Sequence, residues 1–159
     1  MSPVGLRPMR WPDIAEVHRV EAEVFTVDPW TLEQFWSELA HDTRHYIVAV
    51  EGERIVGYAG AFVLPPDSDV QTIAVAERAQ GQGIGALLLA ALLDRAVAAG
   101  CRQMLLEVRS DGGAAIALYE RFGFERISMR RDYYAPGVDA LIMRKRPLSR
   151  PGTPSESAP

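Results

Sequence analysis

Residues 72–108 read TIAVAERAQGQGIGALLLAALLDRAVAAGCRQMLLEV. Their order decides the fold: a strand, a glycine-rich loop, a long helix and a second strand. Thr72–Val75 is short and β-branched, as a buried strand should be. Gly81, Gly83 and Gly85 lead into an alanine- and leucine-rich run that stops at Gly100, a natural residue to follow a helix. Gln103–Val108 is apolar enough for a second buried strand, yet it carries Glu107. Backbone N–H groups of a glycine loop, backed by a helix N-terminus, form a good anion site. The stretch therefore implies a phosphate-bearing cofactor.

Two patterns compete for that loop. Gly81-x-Gly83-x-x-Ala86 has the letters of a dinucleotide fingerprint, with Glu107 near the distance of its ribose-binding acid. The spacing argues against it, because Ala76–Gln80 intervene where a dinucleotide loop follows its strand almost directly. Only about fifty residues follow Glu107, too few for the remaining βαβ units of that fold. The rival reading is Gln80-x-x-Gly83-x-Gly85, which resembles the acyl-CoA pyrophosphate loop of the GNAT acetyltransferases.

A chain of 159 residues is expected to be one domain with a real core. Hydrophobic content of 48% and charged content of 24% are ordinary for a soluble globular protein. No apolar run reaches membrane-spanning length and the N-terminus lacks a charged-then-apolar signal pattern; the lone cysteine makes a reducing cytoplasm the expected location. A single cysteine, Cys101, excludes an internal disulfide and reads as a small buried residue at a strand entry. The net charge of −4 divides unevenly, with residues 1–70 at −7 and 71–159 at +3. An acidic first half suits a cationic acceptor and a basic second half suits cofactor phosphates, although solvated surface explains these charges equally well. A sequence pI near 5.4 argues against nucleic-acid binding.

Outward from the central stretch, Val4–Arg10 reads as a first strand. Pro12-Asp13 opens a helix with Ile14, Val17, Val24 and Phe25 near one face. Asp28-Pro29-Trp30 breaks it, and Thr31 with Gln34 forms a capping-box pattern for a second helix to about Ala40. Tyr46–Val50 and Ile55–Val63 alternate as strands joined across Glu51-Gly52-Glu53. Leu64–Asp69, with two prolines, reads as a turn into the central strand. Beyond Val108, a turn at 109–113 starts a helix with Ala115, Tyr119 and Phe122 at helical spacing, ending at Gly123. Glu125–Tyr133 and Ala140–Arg146 make a last pair of strands around Ala135-Pro136-Gly137. Residues 147–159 hold four prolines and three serines and are expected to be a disordered tail, leaving 1–146 as the domain. The predicted order β-α-α-β-β-β-α-β-α-β-β is an α/β layer architecture: a mixed sheet of six to seven strands flanked by four helices.

The resemblance sharpens toward the end of the chain. Leu106-Glu107-Val108-Arg109, then Ala114-Ala115-Ile116-Ala117-Leu118-Tyr119-Glu120-x-x-Gly123-Phe124, is similar to the ribosomal-protein-alanine N-acetyltransferases. So are Arg130-Arg131-Asp132-Tyr133-Tyr134 and Asp139-Ala140-Leu141-Ile142-Met143, while Phe25 with Pro29-Trp30 echoes the family's aromatic-Pro-Trp segment. The likeness covers about residues 4–146. It implies the GNAT fold, acetyl-CoA as co-substrate, no metal, and the N-terminal segment of a ribosomal protein as acceptor. It also implies that Ile73, Ala74 and Val75 line the acyl group and pantetheine arm, and that Gly81, Gln82, Gly83, Ile84, Gly85 and Ala86 hold the pyrophosphate. Glu107 matches the family's general base and Tyr119 its general acid; Pro29, Trp30, Tyr133 and Tyr134 border the acceptor. One departure stands at Gly112, where the family often has an asparagine that touches the cofactor. Either a backbone or Asp111 contact replaces it, or cofactor affinity is lower.

The residue chemistry agrees with these roles without requiring them. An amine must be neutral to attack a thioester, and an N-terminal amine has a reference pKa of about 7.7–8.0 against about 10.4 for lysine. A modest base therefore suffices for an N-terminus. Glu107 is a carboxylate in an otherwise apolar strand, either that base or a structural acid paired with Arg109 or Arg102. Tyr119 is either a phenol donor to the leaving thiolate or a core aromatic. Backbone N–H groups of the central strand are the expected oxyanion donors. His41 and His45 have i, i+4 spacing but no accompanying Glu or Cys, and read as solvated loop residues rather than a metal site; His18 falls on the first helix without a role. A small-molecule amine acetyltransferase and a non-catalytic acyl-CoA-binding domain are the competing functions. Oligomeric state is left open.

Overall fold

Seven strands and four helices follow one another in the expected order, in a computed structural model that describes residues 3–148. The strands are β1 (Val4–Pro8), β2 (Arg44–Glu51), β3 (Arg54–Leu64), β4 (Asp67–Val75), β5 (Gln103–Arg109), β6 (Glu125–Ala135) and β7 (Val138–Lys145). The helices are α1 (Ile14–Val24), α2 (Leu32–Leu39), α3 (Ile84–Ala99) and α4 (Gly113–Arg121). Hydrogen-bonded neighbours run in the order β1-β2-β3-β4-β5-β7-β6. The sheet is mixed: β4 and β5 pair in parallel, while β1–β2, β2–β3, β5–β7 and β6–β7 are antiparallel. Parallel neighbours need a crossover connection, and α3 supplies it. The tail expected at 147–159 lies, after Leu148, outside the described residues.

Packing divides the chain into two units, one holding residues up to Val63 with Val70–Leu92, the other Leu64–Asp69 with the chain from Leu93 onward. The core of the first is made by α1, α2, β2 and β3. Ile14, Val17 and Val20 form the buried stripe of α1, at the spacing that returns one helix face. The α2 N-terminus is closed by a reciprocal capping box: Gln34 N–H donates to Thr31 Oγ1 (3.2 Å) and Thr31 N–H to Gln34 Oε1 (2.8 Å). That cap sets the entry of Phe35, which is 1% exposed and packs edge-on against Tyr58 and at a tilt against Trp30. A Cβ at Gly60 would collide with the Tyr46 ring, so a larger residue there would displace that buried side chain.

In the second unit β5 alternates cleanly. Met104, Leu106 and Val108 are buried while Glu107 and Arg109 are exposed, so the strand turns these two sets to opposite faces. Register with β7 puts Met143 opposite Leu106 and Leu141 opposite Val108, both buried. Lys145, opposite Met104, donates from Nζ to the Phe122 carbonyl at the end of α4 (2.7 Å). Helix α4 therefore packs on the Met104–Leu106–Val108 face, and Glu107 looks out of the other.

Three expectations need correction. β4 begins at Asp67, not near Thr72. Ser68 and Asp69 read as turn residues, but Ser68 is fully buried, and its hydroxyl donates to the Gln103 carbonyl (2.8 Å) beside the parallel pairing with β5. His45 is not in a loop; it is a half-buried member of β2 paired with Ala61. The acidic first half also spends many of its charges internally. Asp13 chelates Arg7 (2.7 and 2.9 Å), Glu38 pairs with Arg44, and Glu16, Glu21 and Glu23 accept the backbone N–H groups of Ile55, Trp30 and Glu77.

Candidate active site

The first unit carries the glycine loop. β4 delivers Ile73 and Val75 half-buried on either side of buried Ala74, and a short 3-10 turn at Glu77–Ala79 follows. The Glu77 N–H donates to Glu23 Oε1 (3.0 Å), which ties this turn to α1. Gln80 Nε2 donates to the Val75 carbonyl (3.0 Å) and folds the loop back on its strand. Gly81 and Gly83 then take φ of 78° and 82°, left-handed values that suit glycine. A Cβ at either would meet nothing within 4 Å, so conformation and not crowding demands glycine there.

The loop empties into the N-terminus of α3. The Leu87 N–H is the first to close the helix, onto the Gly83 carbonyl (3.1 Å). The N–H groups of Ile84, Gly85 and Ala86 precede it and have no intrahelical acceptor. No acid lies in the first turn to cancel the positive end of the helix. Left-handed glycines flanking exposed Gln82 and leading into free helix N–H groups form a cradle for phosphate oxygens. The loop residues read from the sequence, Gly81–Ala86, are all at this junction, and they fit a diphosphate-bearing co-substrate.

Pro29 and Trp30 sit on the α1–α2 connection of the same unit. Trp30 N–H donates to Glu21 Oε1 (3.0 Å), and its ring leans on Phe35. Glu21 is 3% exposed and its second oxygen has no partner. Burial pushes the Glu21 carboxyl above the ordinary range, and the Trp30 N–H only partly opposes this. Neither Glu21 nor Glu23 was singled out from the sequence: both anchor backbone donors nine and 54 residues away, so the helix pattern carries no sign of them.

The second unit carries the side chains. Glu107 stands on the open face of β5, opposite Ile142 of β7. Among the described residues its carboxylate has no hydrogen-bond or ion-pair partner. Arg109, its neighbour on that face, is held instead by Asp111, Nε to Oδ1 and Nη2 to Oδ2, both 3.0 Å. The Arg109 guanidinium also lies 5.2 Å from the centre of the Tyr134 ring. Burial raises the Tyr134 phenol, the Glu107 and Tyr133 charges raise it further, and Arg109 partly offsets them. Glu107, Arg109 and Tyr134 are thus gathered on one face, with Tyr133 edge-on against Tyr134 at 5.1 Å. The pairing of Glu107 with Arg109 or Arg102, open from the sequence, is not the arrangement found.

The tip that presents the two tyrosines is fastened by two carboxylates of the quoted motifs that had no role assigned from sequence. Asp132, at φ 52°, donates its N–H to Asp139 Oδ1 (2.9 Å) and accepts from the Gly137 N–H (2.7 Å). Asp139 N–H donates to Ser110 Oγ (2.8 Å), fixing the tip to the end of β5. Tyr119 is 9% exposed on α4, edge-on to Phe124, and burial raises its phenol to about 12, so it is a neutral proton donor near neutral pH. At Gly112 the proposed replacements for a missing asparagine are already engaged. Its N–H donates to the Arg109 carbonyl (3.0 Å), and both Asp111 oxygens hold Arg109.

Known proteins resemble the chain along most of its length. The profile of the acetyltransferase (GNAT) family matches residues 11–124. The N-alpha-acetyltransferase RimI of Mycobacterium tuberculosis is 42% identical, over 91% of this chain and 93% of that one. The [ribosomal protein bS18]-alanine N-acetyltransferase of Escherichia coli strain K12 is 31% identical over 82% of this chain and 89% of its own. The crystal structure of the ribosomal-protein-S18-alanine N-acetyltransferase from Escherichia coli superposes with a TM-score of 0.86 at 28% identity, covering 96% and 98% of the two chains. With the fold, the loop geometry and these likenesses in agreement, the chain belongs to the GNAT family of acetyltransferases, whose co-substrate is acetyl-CoA.

Proposed function

We propose that this protein is an Nα-acetyltransferase that modifies the N-terminal alanine of ribosomal protein bS18, acting in the cytoplasm with residues 1–146 as its catalytic domain. The observation that carries this reading is identity of 42% to a protein named an N-alpha-acetyltransferase and of 31% to one named a [ribosomal protein bS18]-alanine N-acetyltransferase, across most of both chains. Acetyl-CoA supplies the acetyl group as a thioester. The cradle at Gly81–Ala86 binds the pyrophosphate, with Ile73–Val75 along the pantetheine arm. Pro29 with Trp30, and Tyr133 with Tyr134, are aromatic candidates for contact with the first residues of the acceptor.

The chemistry is assigned to Glu107 and Tyr119. The amine nitrogen forms a bond to the acetyl carbon as the C–S bond breaks. Glu107, unpaired on the open face, takes the proton from nitrogen. Tyr119 donates its phenolic proton to the departing sulfur; its burial keeps that proton in place until then. A modest carboxylate is adequate because the α-amine's lower pKa spares about 3–4 kcal/mol of deprotonation relative to lysine.

The test is mass mapping of the bS18 N-terminus from cells with and without this protein. Acetylated alanine only when the protein is present is the expected result. An unmodified N-terminus in both, with a small amine acetylated by the pure enzyme, would move the activity to a metabolite.

A further inference from the structure

We propose that Asp111 is a positioning residue whose task is to keep Arg109 away from Glu107. The inference rests on the reading of Glu107 as the base. β5 places Arg109 two residues beyond Glu107 on the same exposed face, where a long guanidinium side chain would ordinarily pair with the carboxylate. Such a pair would occupy the oxygens that must receive the amine proton and would stabilise the charged form of Glu107, making it a weaker base.

Asp111 diverts the guanidinium with a two-point chelate across the turn, and Tyr134 covers its face. This arrangement does little for stability, because the pair is about half exposed on both sides (45% and 52%). What it fixes is direction. Other charged and titratable groups on this face are Arg144 opposite Leu105 on β7, Glu125 opposite Arg144, Tyr133 with Arg130 on β6, and Asp67 and Asp69 on β4 opposite Gln103 and Leu105. Of the cations, Arg109 is the one sharing a strand face with Glu107 at the i, i+2 spacing. The same chelate seats the guanidinium on Tyr134, so one carboxylate frees the base and steadies an aromatic wall.

The experiment is a mutant cycle on the full chain, measured with an N-terminal alanine peptide and acetyl-CoA. Asp111→Ala should lower kcat by about two- to fivefold, the reach of an exposed ion pair released to a new partner, with the KM for acetyl-CoA unchanged. Arg109→Met keeps an apolar stem against Tyr134. The double variant Arg109→Met with Asp111→Ala should recover to the level of Arg109→Met alone, because no guanidinium remains to capture Glu107. A purely structural role for Asp111 would not be relieved by a second mutation. The proposal is overturned if Asp111→Ala matches the wild type, if its loss lies in the KM for acetyl-CoA, or if the double variant is no better than Asp111→Ala. Glu107→Gln, run alongside, separates the two claims: wild-type turnover there removes the base reading itself, whereas a slow Glu107→Gln with an unrelieved Asp111→Ala removes only the role of Asp111.

Discussion

The loop at Gly81–Ala86 and the open face of β5 are built from different material. The loop is backbone: two left-handed glycines and the unbonded N–H groups that open α3. The β5 face is side chain: a carboxylate left unpaired because its neighbouring arginine is chelated elsewhere. The first can bind a co-substrate with no titrating group and the second can move a proton with no binding loop. Binding and chemistry should therefore fail separately when each region is altered.

The largest effect is expected at Glu107. Changing it to Gln should lower kcat by roughly a hundred- to ten-thousandfold, the scale of a lost general base, and leave acetyl-CoA affinity by calorimetry unchanged. Loss should be worst near neutral pH and ease as more of the acceptor amine is already free. A pH–rate profile superimposable on the wild type would return Glu107 to a structural role. Tyr119→Phe should cost about ten- to a thousandfold in acetyl transfer with a small change in melting temperature, since the ring stays buried. A change confined to melting temperature would make Tyr119 a core residue.

On the other side of the comparison, Gly83→Val should weaken acetyl-CoA about ten- to a hundredfold, an estimate for strained backbone plus a blocked phosphate approach. Turnover at saturating acetyl-CoA should be nearly retained. Unchanged affinity would break the assignment of the loop, and a fall in kcat without one in affinity would erase the distinction between the regions.

The smallest effect concerns the Trp30 support. Glu21 has its folded pKa raised by burial, so the native state holds its proton more tightly than the unfolded chain. Stability must then fall as pH rises from the ordinary glutamate range through the raised value, and level off above it. Glu21→Gln keeps a carbonyl acceptor for the Trp30 N–H but cannot titrate, and should flatten that slope in urea melts at stepped pH. Equal slopes in both proteins would mean that Glu21 is not the group responsible.

The same contrast explains what the sequence made legible. Glycines announce backbone, so the loop, the helix stop at Gly100 (φ 92°) and the one at Gly123 (φ 89°) could be placed residue by residue. The capping box of Thr31 and Gln34 is local and was equally readable. Glu107 and Tyr119 could be nominated only through resemblance, because a carboxylate in a strand looks alike whether paired or free. Its freedom depends on Asp111, which in sequence is just another turn residue. The early start of β4 was hidden for a related reason. Ser68 is polar by composition, but the Gln103 carbonyl, 35 residues away, satisfies it in the core. Glu21, Glu23, Asp132 and Asp139 likewise act through partners that only the fold brings near.

The claim that this enzyme acts on a protein N-terminus is tested most directly by a competition between two peptides. One carries a free N-terminal alanine and no lysine; the other is blocked at its N-terminus and holds one internal lysine. Both are incubated with the enzyme and acetyl-CoA at neutral pH and followed by mass spectrometry. The free alanine should be acetylated faster, because far more of its amine is neutral and its reacting nitrogen is part of the backbone the aromatic residues would contact. Faster acetylation of the blocked lysine peptide would contradict the Nα assignment while leaving the acetyltransferase itself in place.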